Sequence, residues 1–152
     1  APSGAAMNLI MQKVNLGTNS TLTFSHAHHQ YQTSNDRLEV FVSTDCGVSW
    51  VSVFNQAGAT LSTLGAANAA YIPAASSDWR INSIDLSAYD GTNEVVIRFT
   101  GTSDYGNNLF SDDIDIQSTL SVDDTNEIDS LKIFPNPASG FIQISGLNTF
   151  QN

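Results

Sequence analysis

Apolar and polar residues alternate along most of the chain, in short runs that Gly, Asn, Asp and Ser interrupt. Residues 38–42 and 95–99 both place Leu, Val, Ile or Phe at every second position. This period of two is typical of antiparallel strands that bury one face in a core. Two sheets packed face to face bury such faces together, so the pattern predicts an all-β, antiparallel β-sandwich.

The same alternation, weaker in places, extends the prediction to most of the first 119 residues. Further strands are predicted within residues 9–11, 21–29, 51–53, 79–86 and 110–116. The Ala-rich residues 61–70 lack a sustained apolar stripe, so they predict a long loop with one turn. The hydrophobic fraction of 41% is sufficient to supply a core.

The composition changes near Ser121, where residues 122–129 contain four acidic residues and little to bury. Beyond this stretch, residues 131–134 and 141–144 alternate on either side of Pro135 and Pro137, which fix φ and predict a turn between two strands. The predicted organisation is a β-sandwich over 1–119, an acidic linker over 120–130 and a second unit over 131–152. Two strands alone are marginal in water, so this second unit is expected to be incomplete here.

Charge and cysteine content exclude several classes of partner and site. The chain contains five Lys and Arg residues and 15 Asp and Glu residues, which gives a net charge of -10. Nucleic acids and anionic membranes are bound by clustered basic residues, so neither is a predicted partner. The apolar runs are too short to insert into a bilayer. Cys46 is the only cysteine, so an intrachain disulfide is excluded.

One motif in the second unit combines several residue types at fixed positions. An apolar-x-apolar-aromatic run leads into Pro-Asn-Pro and then a Gly, and its marked positions are Phe134, Pro135, Asn136, Pro137 and Gly140. Residues 131–147 resemble the opening of the C-terminal sorting domain carried by cargo of the type IX secretion system of Bacteroidota. This resemblance implies export through the periplasm and outer membrane to a secreted or cell-surface location. It also implies that the translocon and its outer-membrane shuttle protein are the partners.

The first unit has a resemblance of its own. The stretches 22–28, 36–40, 43–50, 79–87 and 105–114 are similar, in this order, to the jelly-roll module that precedes the sorting signal in secreted flavobacterial peptidases and adhesins, related in outline to MAM-type sandwiches. The resemblance implies a jelly-roll sandwich that is a non-catalytic accessory part of a larger secreted protein. Two alternatives are a surface adhesin or carbohydrate-binding module, and the C-terminal fragment of a peptidase whose catalytic domain lies upstream.

Aspartates at the ends of the predicted strands are candidates for a structural calcium site. Asp36 and Asp112 each stand two residues before a core-facing residue, so strand parity points both carboxylates toward the end of the core. Hard oxygen ligands from loops suit Ca²⁺, and related sandwiches often bind a cation near the last strand. The alternative is that these residues cap turns or pair with Arg37, Arg80 or Arg98. The candidate ligands are Asp36, Asp104, Asn108, Asp112 and Asp113.

Three histidines raise the question of zinc or catalysis. His26 and His28 share one face of a predicted strand, but a third ligand is not identifiable, so partly buried or rim histidines are expected. Ser, His and Asp are all present for a hydrolytic triad, yet no Ser lies in a Gly-x-Ser-x-Gly elbow. The prediction is therefore a region without catalytic residues of its own.

Large aromatic residues suggest a second kind of site. Trp50 and Trp79 are candidate glycan contacts, because aromatic rings on the face of a sandwich stack on sugars. The alternative is that these rings pack in the core or at its edge, which the alternation of Trp79 with Ile81 favours.

Overall fold

The computed structural model describes residues 2–119 in full and the backbone of residues 132–134 and 143–145. The chain divides into two compact units, Ala1–Ser121 and Val122–Asn152. The boundary falls where the composition turns acidic.

Strands are the main regular structure of the first unit, and the longest of them carry the alternation seen in the sequence. Their bounds are β1 Ala6–Ile10, β2 Thr18–His28, β3 Gln30–Tyr31, β4 Arg37–Ser43, β5 Val51–Ala57, β6 Ala66–Ala67, β7 Arg80–Asp85, β8 Val96–Thr102 and β9 Leu109–Thr119. In residues 2–119 the helical segments are three short 3-10 turns, Gly58–Thr60, Ser76–Asp78 and Ser87–Tyr89. The predicted all-β class is confirmed.

Two antiparallel sheets form the body of this unit. One has the strand order β1-β8-β4-β5 and the other β7-β2-β9. The predicted loop over residues 61–70 contains only β6, which pairs with β3 in a small parallel ladder. Consecutive strands are often not neighbours, so the sheets depend on contacts between residues far apart in sequence.

The core lies between the two sheets. The ring of Phe24 on β2 meets those of Phe54 on β5 and Phe99 on β8 edge to face, with centroids 5.3 and 5.1 Å apart. Such T-shaped pairs stabilise a core beyond simple burial. The surrounding buried residues are Leu16, Leu22, Leu38, Val40, Val42, Leu61, Ile84, Leu86, Val95 and Ile97.

The second unit contains a short antiparallel pair, β10 Lys132–Phe134 and β11 Gln143–Ser145. Ile133 stands opposite Ile144, and Phe134 stands opposite Gln143. The pairing agrees with the alternation predicted on either side of the two prolines. Of the five motif residues predicted to carry a sorting signal, only the backbone of Phe134 falls in the described residues, while Pro135, Asn136, Pro137 and Gly140 lie outside them.

Candidate functional site

The carboxylate of Asp36 is buried at the start of β4, with the residue only 5% exposed. Its Oδ1 accepts hydrogen bonds from the backbone N–H groups of Asp104 and Gly106, at 2.8 and 3.1 Å. Its Oδ2 accepts the Ser34 hydroxyl at 2.8 Å. Burying a carboxylate is costly unless donors surround it. Asp36 therefore ties the loop between β8 and β9 to the start of β4.

Gly106 makes this arrangement possible. Its backbone approaches Asp36 so closely that a Cβ at this position would overlap the carboxylate and the Ser34 hydroxyl. Position 106 therefore requires glycine because there is no space for a side chain beside Asp36.

Two of the other predicted calcium ligands lie near Asp36 but have different partners. The side chain of Asp104 accepts the Asn35 N–H at 3.0 Å and the Ser3 hydroxyl at 2.8 Å, and these two bonds hold the pKa of Asp104 below its usual value. Asn108 contributes its backbone carbonyl, which accepts the Nδ1–H of His28 at 3.2 Å. The two Asp104 bonds span 69 and 101 residues of the sequence, so this carboxylate joins distant segments and does not cap a local turn.

Asp112 and Asp113 lie elsewhere, and the parity argument is wrong for Asp112. A β-bulge interrupts the pairing of β2 with β9: Thr23 is opposite Asp115, but Ser25 is opposite Asp112. Asp113 has a positive φ of 51°. The extra residue shifts the alternation, so Asp112 is exposed on the outer face of the three-stranded sheet.

The structure thus divides the predicted calcium ligands between two places. Within the described residues, no group of three or more His, Cys, Asp or Glu side chains is placed to hold a metal ion. Calcium binding stays a prediction, and comparing melting temperatures in calcium and in chelator is its direct test.

His26 is a core residue with both ring nitrogens in use. Its Nε2 lies 3.0 Å from the Leu61 carbonyl, and its Nδ1 lies 2.8 Å from the Asn82 side-chain amide. The tautomer that carries its proton on Nε2 satisfies both contacts. The ring is fully buried, so the expectation of a partly buried or rim residue is wrong. Burial also lowers the pKa of His26.

His28 is equally buried but less fully bonded. Its Nδ1 is bonded to Asn108, whereas its buried Nε2 has no hydrogen-bond partner among the described residues and lies 3.8 Å from Oδ2 of Asp36. Burial lowers the pKa of His28, and this outweighs the raising effects of the Asn108 bond and the Asp36 charge. The neutral ring therefore stands beside a carboxylate that three other donors already satisfy.

The outer face of the three-stranded sheet carries an open groove of about 410 Å³. A row of paired residues crosses the three strands at this groove, Ile81 on β7, Ser25 on β2 and Asp112 on β9. The lining residues are Ser25, Ser76, Trp79, Ile81, Asp112 and Asp113. An indole, an exposed aliphatic side chain and two carboxylates therefore share one concave surface, which we call the outer-face groove.

The loop that carries Trp79 is fixed by its own hydrogen bonds. The Asp78 carboxylate accepts the N–H groups of Ala74 and Ala75, at 2.8 and 3.2 Å. This loop contributes Ser76 and Trp79 to the lining of the outer-face groove, and the bulge contributes Asp113. Such a combination of an apolar surface with a few placed polar groups is typical of small-ligand sites.

Ile81 was not identified as a surface residue from the sequence. The residue is 78% exposed, so its alternation with Trp79 does not place either side chain in the core. The spacing between Ile81 and Ile84 could have indicated this exposure. Residues an odd number apart on a regular strand lie on opposite faces. Ile84 is buried and three residues away, so Ile81 lies on the outer face.

Trp50 has a different role from Trp79. The guanidinium carbon of Arg98 lies 4.2 Å from the centroid of the Trp50 ring and 4.7 Å from that of Phe41. This stack is a cation–π arrangement on the four-stranded sheet. One face of Trp50 is therefore occupied by the protein itself, which makes it a poorer candidate for a glycan contact.

Comparison of the sequence with protein-family models and with curated proteins finds no match. Among the described residues, no helix has the length and apolar character needed to cross a membrane.

Proposed function

We propose that the chain is a non-catalytic region of a secreted cargo protein of the type IX secretion system. In this proposal residues 1–119 are an accessory β-sandwich and residues 131–152 begin the sorting domain. The observation that carries it is the Phe-Pro-Asn-Pro-x-x-Gly motif, which begins at Phe134, the last residue of strand β10, in a unit separate from the sandwich.

The arrangement of β10 and β11 supports a role in recognition. Phe134 ends β10, opposite Gln143, so the two prolines lie in the connection between the paired strands. Strand pairing combined with an apolar face is a general way to recognise an extended signal. The translocon and the outer-membrane shuttle protein are the proposed partners, and the proposed location is secreted or cell-surface.

The burial of His26 and His28 supports an accessory rather than a catalytic role for the sandwich. His26 is fully buried and its two ring nitrogens are bonded to Leu61 and Asn82. A general base must reach the proton that it removes from a substrate, and this ring is enclosed by the core. The proposal leaves open that the parent protein is a peptidase with its catalytic domain upstream.

Export of the chain within its full-length parent protein, from a type IX-competent host, tests this function. The variant combines Phe134→Ala with deletion of residues 135–137, and its matched control deletes residues 123–125, an equally long part of the acidic stretch. We expect the variant to remain in the cell while its circular dichroism keeps the β-sheet spectrum, and the control to be secreted. Secretion of the variant at the level of the unchanged chain would contradict the proposal.

A second candidate function, binding of a carbohydrate, is favoured by the outer-face groove. Sugars present apolar C–H faces that stack on an indole and hydroxyl groups that donate to carboxylates. Trp79, Asp112 and Asp113 offer both kinds of contact on one surface. The sandwich would then serve as an adhesin or carbohydrate-binding module within the secreted protein.

A glycan array followed by titration of the best ligand tests this candidate. Trp79→Ala is expected to weaken binding by about tenfold or more, as the loss of a central aromatic contact does. Trp50→Ala is the matched control, because Trp50 stacks on Arg98. Binding lost only on changing Trp50, or no glycan bound at all, would contradict the assignment to the outer-face groove.

A further inference from the structure

The two sheets of the sandwich have unequal widths, and within residues 2–119 one strand of the wider sheet has no strand opposite it. Four strands face three. Phe24 of β2 lies against β5 and β8, and the Leu109 side chain of β9 packs beside Gly101 of β8. The three-stranded sheet therefore ends opposite β8, and β1 extends past it.

Side chains on the inner face of β1 are exposed as a result. Leu9 pairs with Phe99, and Met7 pairs with Gly101, so both side chains point to the face on which Phe99 is buried. Phe99 is 4% exposed, but Leu9 and Met7 are 53% and 83% exposed. Two apolar side chains thus stand at core positions that the opposite sheet of residues 2–119 does not cover.

The backbone next to this region is also open on one side. In the described residues β9 pairs only with β2, and β1 pairs only with β8. Each strand therefore presents one edge without a ladder partner, and such edges are templates for an added strand. We call the region between these two edges, formed by β1 and β9, the open side.

We propose that the open side binds an extended segment of a partner protein as an added strand on the free edge of β9. Alternate apolar side chains of this segment would cover Met7 and Leu9, as in other cases of strand addition. Its remaining side chains would face outward, beside the carboxylates of β9.

The charges of β9 define the chemistry of that partner. Asp112, Asp113 and Asp115 lie on this strand, and neither ion pair found in residues 2–119 involves them. Opposite charges on neighbouring strands stabilise pairing and like charges oppose it. The outward positions of the added strand are therefore basic.

The same charges disfavour two other occupants. A second copy that paired its own β9 would place Asp beside Asp, and the net charge of -10 adds to the repulsion. Residues 122–129 of this chain are acidic as well. A partner segment that alternates Val or Ile with Lys or Arg meets both the apolar and the electrostatic requirement.

A labelled peptide of about ten residues that alternates Val and Lys is the probe, a length that matches an ordinary strand. Its control has the same composition arranged as a block of Val followed by a block of Lys. We expect the full chain to bind the alternating peptide about tenfold more tightly in fluorescence anisotropy. Hydrogen exchange is expected to slow in β9. Equal affinity for the two peptides, or slowed exchange only outside β1 and β9, would overturn the proposal.

A matched pair of substitutions on β1 locates the contact. Leu9→Ser removes an inner-face side chain, whereas Ile10→Ser removes an outer-face side chain of similar exposure, 58% against 53%. We expect Leu9→Ser to weaken peptide binding by about tenfold and Ile10→Ser to leave it within about twofold. Equal effects of the two changes, or a stable dimer in sedimentation that excludes the peptide, would contradict binding of a partner segment.

Discussion

Asp36 shows how one buried residue organises a region that the sequence describes only as a loop. Its carboxylate accepts the hydroxyl of Ser34, before β4, and the backbone N–H groups of Asp104 and Gly106, after β8. Leaving buried donors unpaired costs more than the bond itself contributes. The residue therefore fixes the connection into β9, from which Asn108 reaches His28.

Replacing Gly106 with alanine tests this connection. The added Cβ would overlap the Asp36 carboxylate, so we expect the free energy of unfolding to fall by about 1–3 kcal/mol, as in overpacked cores. Urea denaturation measures the change. Gly101→Ala is the control, because the nearest atom to a Cβ at that position is Leu109 Cδ2 at 3.7 Å, an ordinary contact. A loss of stability no larger than that of the control would contradict the account of Gly106.

The two buried histidines predict how stability depends on pH. Burial lowers the pKa of both His26 and His28 in the folded protein. Below about pH 6.5 the unfolded chain therefore binds more protons than the folded one, and stability falls as the pH falls. We expect the urea midpoint to decrease between about pH 7 and pH 5, above the range in which aspartates titrate.

The double variant His26→Gln with His28→Gln is the control for this dependence. Both titrating rings are absent from it, so its urea midpoint should change less over the same pH interval, even if its stability is lower throughout. A decline with the same slope in the variant would show that other groups cause the effect.

At the level of single residues, the sequence predicts which face of a strand a side chain lies on better than it predicts which groups surround that side chain. It placed His26 and His28 on the face of Leu22 and Phe24, which is correct. The sequence does not predict the hydrogen-bond partners that allow the His26 ring to be buried, because Asn82 and Leu61 lie 56 and 35 residues from His26. Burial of a polar ring depends on such distant donors and acceptors.

Among the elements, β9 shows how a local irregularity changes the faces of a strand. The bulge at Asp113 changes which residues of the strand face outward, and it brings Asp112 to the outer-face groove. A strict period of two misassigned Asp112 for this reason. Asp tolerates a positive φ more readily than most residues, but that tolerance does not reveal where a bulge will form.

Substitutions on β9 test the role of the bulge. A β-branched side chain is strained at the φ of 51° that Asp113 adopts, so Asp113→Val is expected to lower the free energy of unfolding by about 1–3 kcal/mol. Asp115→Val introduces the same side chain at an exposed position without a positive φ, where β-propensity favours valine. Thermal or urea denaturation of both variants is the measurement. Equal stability of the two would contradict the assignment of the bulge to Asp113.

On the scale of the whole molecule, periodicity was sufficient to predict an all-β class and most of the long strands. It did not predict which strands are neighbours, because β1 lies beside β8, and β2 lies beside β7 and β9. These pairings join segments that are far apart in sequence. The exposure of the inner face of β1 depends on the order of the strands in the sheets, so the local sequence around Met7 and Leu9 does not predict it.

The independence of the sandwich is tested most directly by thermal denaturation of residues 1–121 beside the full chain. Because the first unit contains its own core and both main sheets, the two melting temperatures are expected to agree within about 2 °C. Loss of the cooperative transition in residues 1–121, or a melting temperature many degrees lower, would contradict a self-sufficient sandwich followed by a separate second unit.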